Sequence, residues 1–378
     1  MLPKLYSSFN NGAAAGFLGT LDRCTKCLVA EVRNGSFTLE LETTENDACA
    51  GVLSSQKIIV VKPNPFDSPQ SFEISSTKRV RGSADNLIRV NAKHVKDFCF
   101  QYFTTGDYDN EGVIITRTGT PSQLWQLLTS DYISENVPFS FHSNISTEAE
   151  FSLGLSVPES LGNILGGKSG SFLDLWHGEL RFDNGNIYFN TVRGRDIGFQ
   201  LRYGANISDM TQSEDSESVY SHIFPYGRVL LTNSTGSKKI NFFAPAIEIP
   251  NHQSCRRRVF ALDCTDFLDG YSVGEGGARY DEVRAAMSAY ARQYAVYNEL
   301  GKVKVSIDVT LRSELDKMKL VGLCDTVTVV LDKFGTKTTA KIVEAVYDSL
   351  LERWERLSIG SQRVSVADLF IHKERYIK

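Results

Sequence analysis

Gly178-Glu179-Leu180-Arg181-Phe182-Asp183-Asn184 lies near the middle of this chain. It is followed by Arg193-Gly194-Arg195-Asp196, then Leu201-Arg202-Tyr203-Gly204-Ala205-Asn206-Ile207, then Phe224-Pro225-Tyr226-Gly227. Asp183-Asn184-Gly185-Asn186 is a turn sequence, because Asn and Gly accept the left-handed backbone that tight turns require. Ile187, Phe189 and Thr191 alternate after it, so residues 178–204 read as β-structure.

Working outward, β-patterns dominate both ends. Leu28, Val29 and Val32 precede Asn34-Gly35, and Phe37, Leu39 and Leu41 alternate after it, which predicts a hairpin over 21–42. Strand-like runs follow at 57–62, 71–74 and 87–90, separated by the loop Lys62-Pro63-Asn64-Pro65. Toward the C-terminus, Val303, Val305, Ile307, Val309 and Leu311 alternate with polar residues, and 326–331 is a further strand. Residues 340–359 allow two readings: a helix by propensity, or a hairpin turning at Asp348-Ser349.

Helical spacing occurs twice. Thr120, Pro121 and Gln123 form a helix start, with Leu124, Leu127, Leu128 and Tyr132 on one face. Val283, Met287, Tyr290, Tyr294 and Tyr297 define a helix over 279–300 that stops at Gly301. The polar, acidic run 211–218 reads as a loop or a surface segment. The pattern is α+β and predominantly β, not an alternating β-α-β series.

Bulk properties narrow the function classes. The chain has 378 residues, enough for two to four domains, with 42% hydrophobic and 23% charged residues, as in an ordinary folded protein. A net charge of -4 argues against a broad nucleic-acid-binding surface. The local triplet Arg256-Arg257-Arg258 fits a solvated face or a subunit salt-bridge patch. No apolar run is long enough to span a bilayer. The small apolar run Gly12 to Leu18 is interrupted by Asn10 and Asn11 before it and Asp22 and Arg23 after it, unlike a signal peptide. Seven scattered cysteines, an odd count, suit reduced thiols better than a disulfide scaffold.

Three motifs invite chemical readings. Gly162-Asn163-Ile164-Leu165-Gly166-Gly167-Lys168-Ser169 matches a P-loop letter for letter. A P-loop needs a buried strand before it and a helix after it, and Pro158, Glu159 and Gly170 suit neither, so a glycine-rich turn is expected. Cys24-Thr25-Lys26-Cys27 has redox or zinc spacing but no second ligand pair, and strand alternation would put its two thiols on opposite faces. The six histidines show no metal-ligand spacing, and no nucleophile elbow occurs. No catalytic, cofactor or metal residue is therefore assigned.

The four central segments together resemble the signature of the siphophage tail-hub family, the N-terminal region of tail-associated lysins or phage minor structural proteins. Its members carry a GEL-F-DN segment, an RGRD turn, an RYG-N-I segment and a PYG turn in this order. The matching positions here are Glu179, Asp183, Asn184, Arg193, Gly194, Arg195, Asp196, Arg202, Tyr203, Gly204, Pro225, Tyr226 and Gly227. Leu5-Tyr6, Asn11-Gly12, Glu31-Val32-Arg33-Asn34-Gly35, Gln70-Ser71-Phe72-Glu73-Ile74 and Ala92-Lys93-His94-Val95 fit its N-terminal pattern. Gly322-Leu323-Cys324-Asp325-Thr326-Val327, Tyr347-Asp348 and Ile359-Gly360 fit its closing strands. Cys24-Thr25-Lys26-Cys27 departs from it.

The resemblance implies a fold shared with baseplate hubs of contractile-tailed phages: two small β-barrel-like domains with α+β insertions. The expected division is 1–97 for the first barrel-like domain and 98–190 for an insertion continued in 245–300. Residues 191–244 with 301–360 would form the second barrel-like domain, and 361–378 a tail segment. It also turns 340–359 into a hairpin. The implied role is structural: a homotrimer at the virion tail tip, assembled in the bacterial cytoplasm, that adapts sixfold to threefold symmetry. Implied partners are the distal tail protein ring, the tape-measure protein and receptor-binding or tail-fibre proteins. DNA would pass transiently, past a slightly acidic channel wall, without specific binding, and no stable membrane insertion is implied. Longer members continue into wall-degrading or receptor-binding modules, and Lys378 falls where such modules begin, which suits a hub-only form or a truncated chain. The alternatives are a hub that is itself a cell-wall endopeptidase and, more remotely, a P-loop nucleotide-binding protein.

Overall fold

The computed structural model describes residues 1–81, 86–105, 114–154, 158–166, 170–202, 207–215, 219–234, 236–254, 256–269, 271–302, 304–311, 321–331 and 336–360. Strands β1 (Lys4–Asn10), β2 (Ala13–Thr20), β3 (Cys24–Val32), β4 (Phe37–Thr44), β5 (Ile58–Val61), β6 (Gln70–Arg81) and β7 (Asn86–His94) come first. They form an antiparallel array in the order β3-β4-β7-β6-β5-β1-β2. The β3–β4 hairpin turns at Asn34, whose φ of 53° is the left-handed conformation anticipated for that position. Period-2 alternation carries Cys27, Val29, Leu39, Leu41, Ile88 and Val90 into one core around Phe72.

A second core lies between a 3-10 turn (Val95–Gln101) and β12. Its elements are β8 (Ile114–Gly119), α1 (Pro121–Asp131), β9 (Ser140–Ser143), β10 (Ala149–Gly154), α2 (Leu161–Gly166), α3 (Phe172–Trp176), β11 (Glu179–Asp183) and β12 (Asn186–Asn190). The capping box at the start of α1 is formed as expected. Gln123 N donates to Thr120 Oγ1 at 3.4 Å, and Thr120 N donates to Gln123 Oε1 at 2.8 Å.

The remaining chain builds two cores. Strands β13 (Asp196–Arg202) and β14 (Ile207–Asp215) lead into a lobe of β15 (His222–Asn233), β16 (Gly236–Phe243), β17 (Ile247–Glu248), β18 (Val259–Asp263), α4 (Thr265–Leu268), β19 (Ser272–Gly274) and α5 (Tyr280–Tyr297). The chain then returns through β20 (Lys304–Leu311), β21 (Thr326–Leu331), β22 (Thr336–Asp348) and β23 (Arg353–Gly360). Antiparallel pairing of β22 with β3, Tyr347 opposite Val29, joins both β-rich ends of the chain into one 13-stranded sheet.

Several expectations change. Residues 211–215 are strand, not loop, because β14 pairs antiparallel with β20 along its length, Thr211 opposite Asp308. Residues 216–218 lie outside the described residues. Pro225-Tyr226-Gly227 is not a turn but the interior of β15, the shared strand of a five-stranded sheet. Proline is tolerated there because it falls where β17 has ended and β16 begins, so its missing N–H breaks no ladder bond on that side. Apolar packing divides the second half of the chain between two cores. Helix α5 buries Val283, Met287 and Ala291 against Ile223 and Val229 of β15, and it meets the 98–190 unit through Tyr290 Oη, which donates to Asp174 Oδ2 at 3.1 Å, and through Tyr297, stacked on His177. Strands β15 and β16 therefore belong with 245–300 in packing terms, and β13, β14 and β20–β23 lie in the 13-stranded sheet. Segment 361–378 lies outside the described residues.

The open question at 340–359 resolves as a hairpin. Asp348 Oδ1 accepts from Leu350 N at 2.9 Å and Leu351 N at 3.0 Å, an Asx-type turn. Tyr347 is buried edge-on to Trp354, with ring centroids 5.1 Å apart. Burial of these aromatics on a paired strand overrides the local helical propensity.

Candidate functional site: a buried ionic junction

The central segments converge where three cores meet. Glu179, 2% exposed, is the hub of the contact. Its Oε1 receives Arg33 at 2.8 Å from the first β unit and Lys341 Nζ at 2.7 Å from β22, and its Oε2 accepts from Arg193 N at 2.7 Å. Burial alone would raise the Glu179 pKa, but the Lys341 hydrogen bond, the Arg193 N–H and the Arg33 charge outweigh it and hold the carboxyl below its usual range. Beside it the Arg193 guanidinium forks onto Glu31 at 2.6 and 3.1 Å, a bidentate pair. Burial works against that charge, but Glu31 more than compensates and raises the Arg193 pKa.

The following residues continue the junction by close backbone approach. A Cβ on Gly194 would stand 2.0 Å from the Cys324 carbonyl oxygen, so only glycine fits. Arg195 N donates to Asp325 Oδ1 at 2.7 Å, and Gly322 N to Asp325 Oδ2 at 2.8 Å. Asp196 Oδ1 accepts from Gly198 N at 3.0 Å.

The Asp183-Asn184 turn docks on β6. Asn184, at φ 49°, accepts from Ser71 N at 2.8 Å and donates through its own N–H to Gln70 Oε1 at 2.8 Å. Asp183 Oδ1 accepts from Gln70 Nε2 at 2.7 Å. A carboxylate only accepts, so the Gln70 amide oxygen must face His94, whose Nε2 lies 3.0 Å away. His94 therefore carries its proton on Nε2, and Nδ1 accepts from Lys96 N at 3.1 Å. The ring stacks on Phe37 with centroids 4.4 Å apart.

Burial, reinforced by Lys96, holds the His94 pKa well below 6.5. The unfolded chain would protonate this histidine near 6.5 while the folded chain would not, so stability falls as pH drops below that value. The slope approaches about 1.4 kcal/mol per pH unit. Glu179, with its depressed pKa, adds acid sensitivity only below about 4.5, so the two contributions separate. We expect the urea midpoint of the wild type to fall between pH 7 and 5 and that of His94→Gln to be flatter there. Equal slopes would contradict the assignment.

Asn34 contributes a contact that sequence reading missed. It was expected only to turn the hairpin. Its side chain also donates to Gly178 O at 3.0 Å and accepts from Leu180 N at 2.7 Å, tying the β3–β4 turn to β11. Asn34→Gly should keep the turn and still cost about 1–3 kcal/mol for two broken bonds. Asn34→Ala should cost roughly 1–2 kcal/mol more for its left-handed backbone. Denaturant titration that ranks the two variants equal would refute the split.

Other signature positions scatter. Gly227 lies against α4, where a Cβ would come within 2.9 Å of Thr265 N. Tyr226 is 40% exposed on the lobe surface. Arg202 lies at the end of β13 with its side chain exposed, and Tyr203 and Gly204 lie outside the described residues.

The decoy motifs resolve in physical terms. Gly162 to Gly166, expected to be a turn, form most of the six-residue helix α2, and the Gly162 backbone is roofed by the Phe100 ring. A phosphate loop would need those glycines as an open nest ahead of its helix. Lys168 and Ser169 lie outside the described residues. Cys24 and Cys27 share one face, against the strict alternation expected. A β-bulge between Cys24 and Lys26 inserts a residue and resets the period, so both thiols pack on the first core. Burial pushes the Cys27 thiol up to about 12 and Cys24 higher still, so neither is a reactive thiolate at neutral pH. Among the described residues no three His, Cys, Asp or Glu side chains are placed to hold a metal, and no helix is long and apolar enough to cross a membrane.

No family model and no curated protein sequence matches the chain. Solved structures do. The prophage tail protein gp18 of Listeria monocytogenes EGD-e superimposes with a TM-score of 0.58 at 14% identity, over 98% of both chains. The tail protein of Neisseria meningitidis MC58 gives 0.56 at 10% identity, over 97% of this chain and 98% of that one. The 43 kDa tail protein of prophage MuSo2 from Shewanella oneidensis gives 0.55 at 11% identity, over 95% and 97%. The class is thereby set: the chain has the fold of phage tail proteins, predominantly β with α+β insertions.

Proposed function

We propose that this chain is a structural subunit of a phage tail, and within it the hub that closes the distal end of the tail tube. The observation that carries the reading is the end-to-end fold likeness, over 98% of both chains, to a prophage tail protein. The junction supports it. Its charged residues are spent on one another, Glu179 on Arg33 and Lys341 and Glu31 on Arg193, and a rigid weld between β units suits a load-bearing part. The signature residues Glu179, Asp183, Asn184, Arg193, Gly194 and Arg195 are, in this reading, positions that lock the units together rather than a catalytic set.

In the assembled particle three copies form the ring, each giving two β units, so that a sixfold tube meets a threefold tip. The ring docks on the distal tail protein, faces the tape-measure protein and opens for DNA at the virion tail tip. Light scattering coupled to size exclusion tests this with the chain alone and with the distal tail ring. The expected mass is about three times 42.1 kDa, alone or on the ring. A single-copy mass that the ring leaves unchanged would overturn the reading.

A further inference from the structure

Asn-Gly pairs turn three hairpins in this chain: Asn11-Gly12 between β1 and β2, Asn34-Gly35 between β3 and β4, and Asn184-Gly185 between β11 and β12. The three asparagines share the left-handed backbone, with φ of 49°, 53° and 49°. They differ in what holds them. Asn34 donates to Gly178 O and accepts from Leu180 N, and Gly35 N donates to Val32 O at 2.9 Å. Asn184 accepts from Ser71 N and donates through Nδ2 to Pro69 O at 3.0 Å. Asn11 is exposed at its hairpin tip. Among the described residues neither its side chain nor Gly12 N makes a hydrogen bond.

That freedom has a chemical consequence. An asparagine carries its amide carbon within ring-closing reach of the next backbone nitrogen, and a following glycine has no Cβ to hinder the approach. Once hydroxide takes the Gly12 N–H proton, the nitrogen lone pair forms a bond to Asn11 Cγ. The Cγ–Nδ2 bond breaks, and that nitrogen takes up a proton and leaves as ammonia. Water then opens the cyclic imide at either carbonyl, giving aspartate or isoaspartate. Hydrogen bonds that fix the amide elsewhere keep it out of the attack geometry, as at Asn34 and Asn184.

The Asn11 tip is also a contact. Gly12 and Gly185 meet backbone to backbone, so closely that a Cβ on Gly185 would stand 2.6 Å from Gly12 Cα. Conversion of Asn11 adds a negative charge beside this contact and, in isoaspartate, an extra backbone carbon. We infer that Asn11 is a site of spontaneous deamidation in the folded chain, and that its conversion loosens the first β unit from the β11–β12 turn. The reaction needs only water and does not depend on the proposed tail role.

Peptide mapping by mass spectrometry tests this on the full chain held in mildly alkaline buffer, folded and in urea. Deamidation replaces an NH2 group by OH and adds about one dalton to the affected peptide. In the folded chain the Asn11 peptide should convert at least about tenfold faster than the Asn34 and Asn184 peptides, because each held side chain must first give up two hydrogen bonds. In urea the three rates should draw together. Asn11→Gln keeps an amide on a longer side chain, and its peptide should stay unmodified. Aged wild type should unfold at lower urea than fresh wild type, whereas aged and fresh Asn11→Gln should match. Folded Asn34 or Asn184 converting as fast as Asn11 would overturn the assignment. So would an equal preference for Asn11 in urea, because local sequence and not the fold would then select the site. An unchanged midpoint after full conversion would overturn the loosening of the tip contact.

Discussion

Arg193→Ala is expected to cost roughly 3–5 kcal/mol of folding stability, among the largest effects of any single substitution in this chain. The arginine is held by Glu31 at 2.6 Å, and both side chains are only 10% exposed. Removing the cation leaves a buried carboxylate without its partner, and that desolvation penalty dominates the loss. Removing both charges is different. Arg193→Met with Glu31→Leu should recover most of the stability, because a buried pair is often little better than well-packed apolar groups. The recovery separates a charge effect from a packing effect. Urea unfolding followed by tryptophan fluorescence reads both variants. A small loss for Arg193→Ala, or a double variant worse than the single, would contradict the ionic account of the junction.

Gly194→Ala should be nearly as damaging by a different route. The added Cβ would meet the Cys324 carbonyl oxygen at 2.0 Å and the Asp325 nitrogen at 2.5 Å, both backbone atoms that a rotamer change cannot relieve. The segments 193–196 and 322–326 must move apart, breaking the bonds from Arg195 N to Asp325 and from Thr326 N to Arg195 O. A loss of at least about 4 kcal/mol, or insolubility, is expected. Gly198→Ala is the informative comparison. Gly198 has φ +64° but nothing within 4 Å of its would-be Cβ, so only the backbone cost of roughly 1–2 kcal/mol applies. Equal tolerance of both substitutions would show that the close approach is not a constraint.

Much of the β-architecture was legible because local signals were strong and agreed with packing. Asn34-Gly35 with flanking alternation gave the β3–β4 hairpin, and Thr120 with Gln123 gave the start of α1. What failed depended on contacts far away in sequence. The acidic run 211–215 looks like loop until β20 supplies a partner nearly a hundred residues later. Pro225 looks like a turn residue until the gap between β16 and β17 is visible. Helix α5 was found from its spacing, but spacing cannot say which sheet its face will cover. A bulge of one residue reversed the relation of Cys24 to Cys27.

The junction was half legible. The residues Glu179, Arg193 and Asp183-Asn184 stood out as a signature, but nothing in the sequence paired Glu179 with Arg33 and Lys341 or Arg193 with Glu31. Those partners are separated by 146 to 162 residues, a span over which pattern carries no register. The second role of Asn34 was hidden for the same reason, since turn chemistry already explained it.

Immunogold electron microscopy of intact phage particles, with antibody raised against this chain, tests the central claim most directly. The account predicts label at one end of the tail, distal to the head, and loss of infectious tails when the chain is withheld during assembly. Label absent from particles, with the chain found only free in the lysate, would contradict a structural role in the tail.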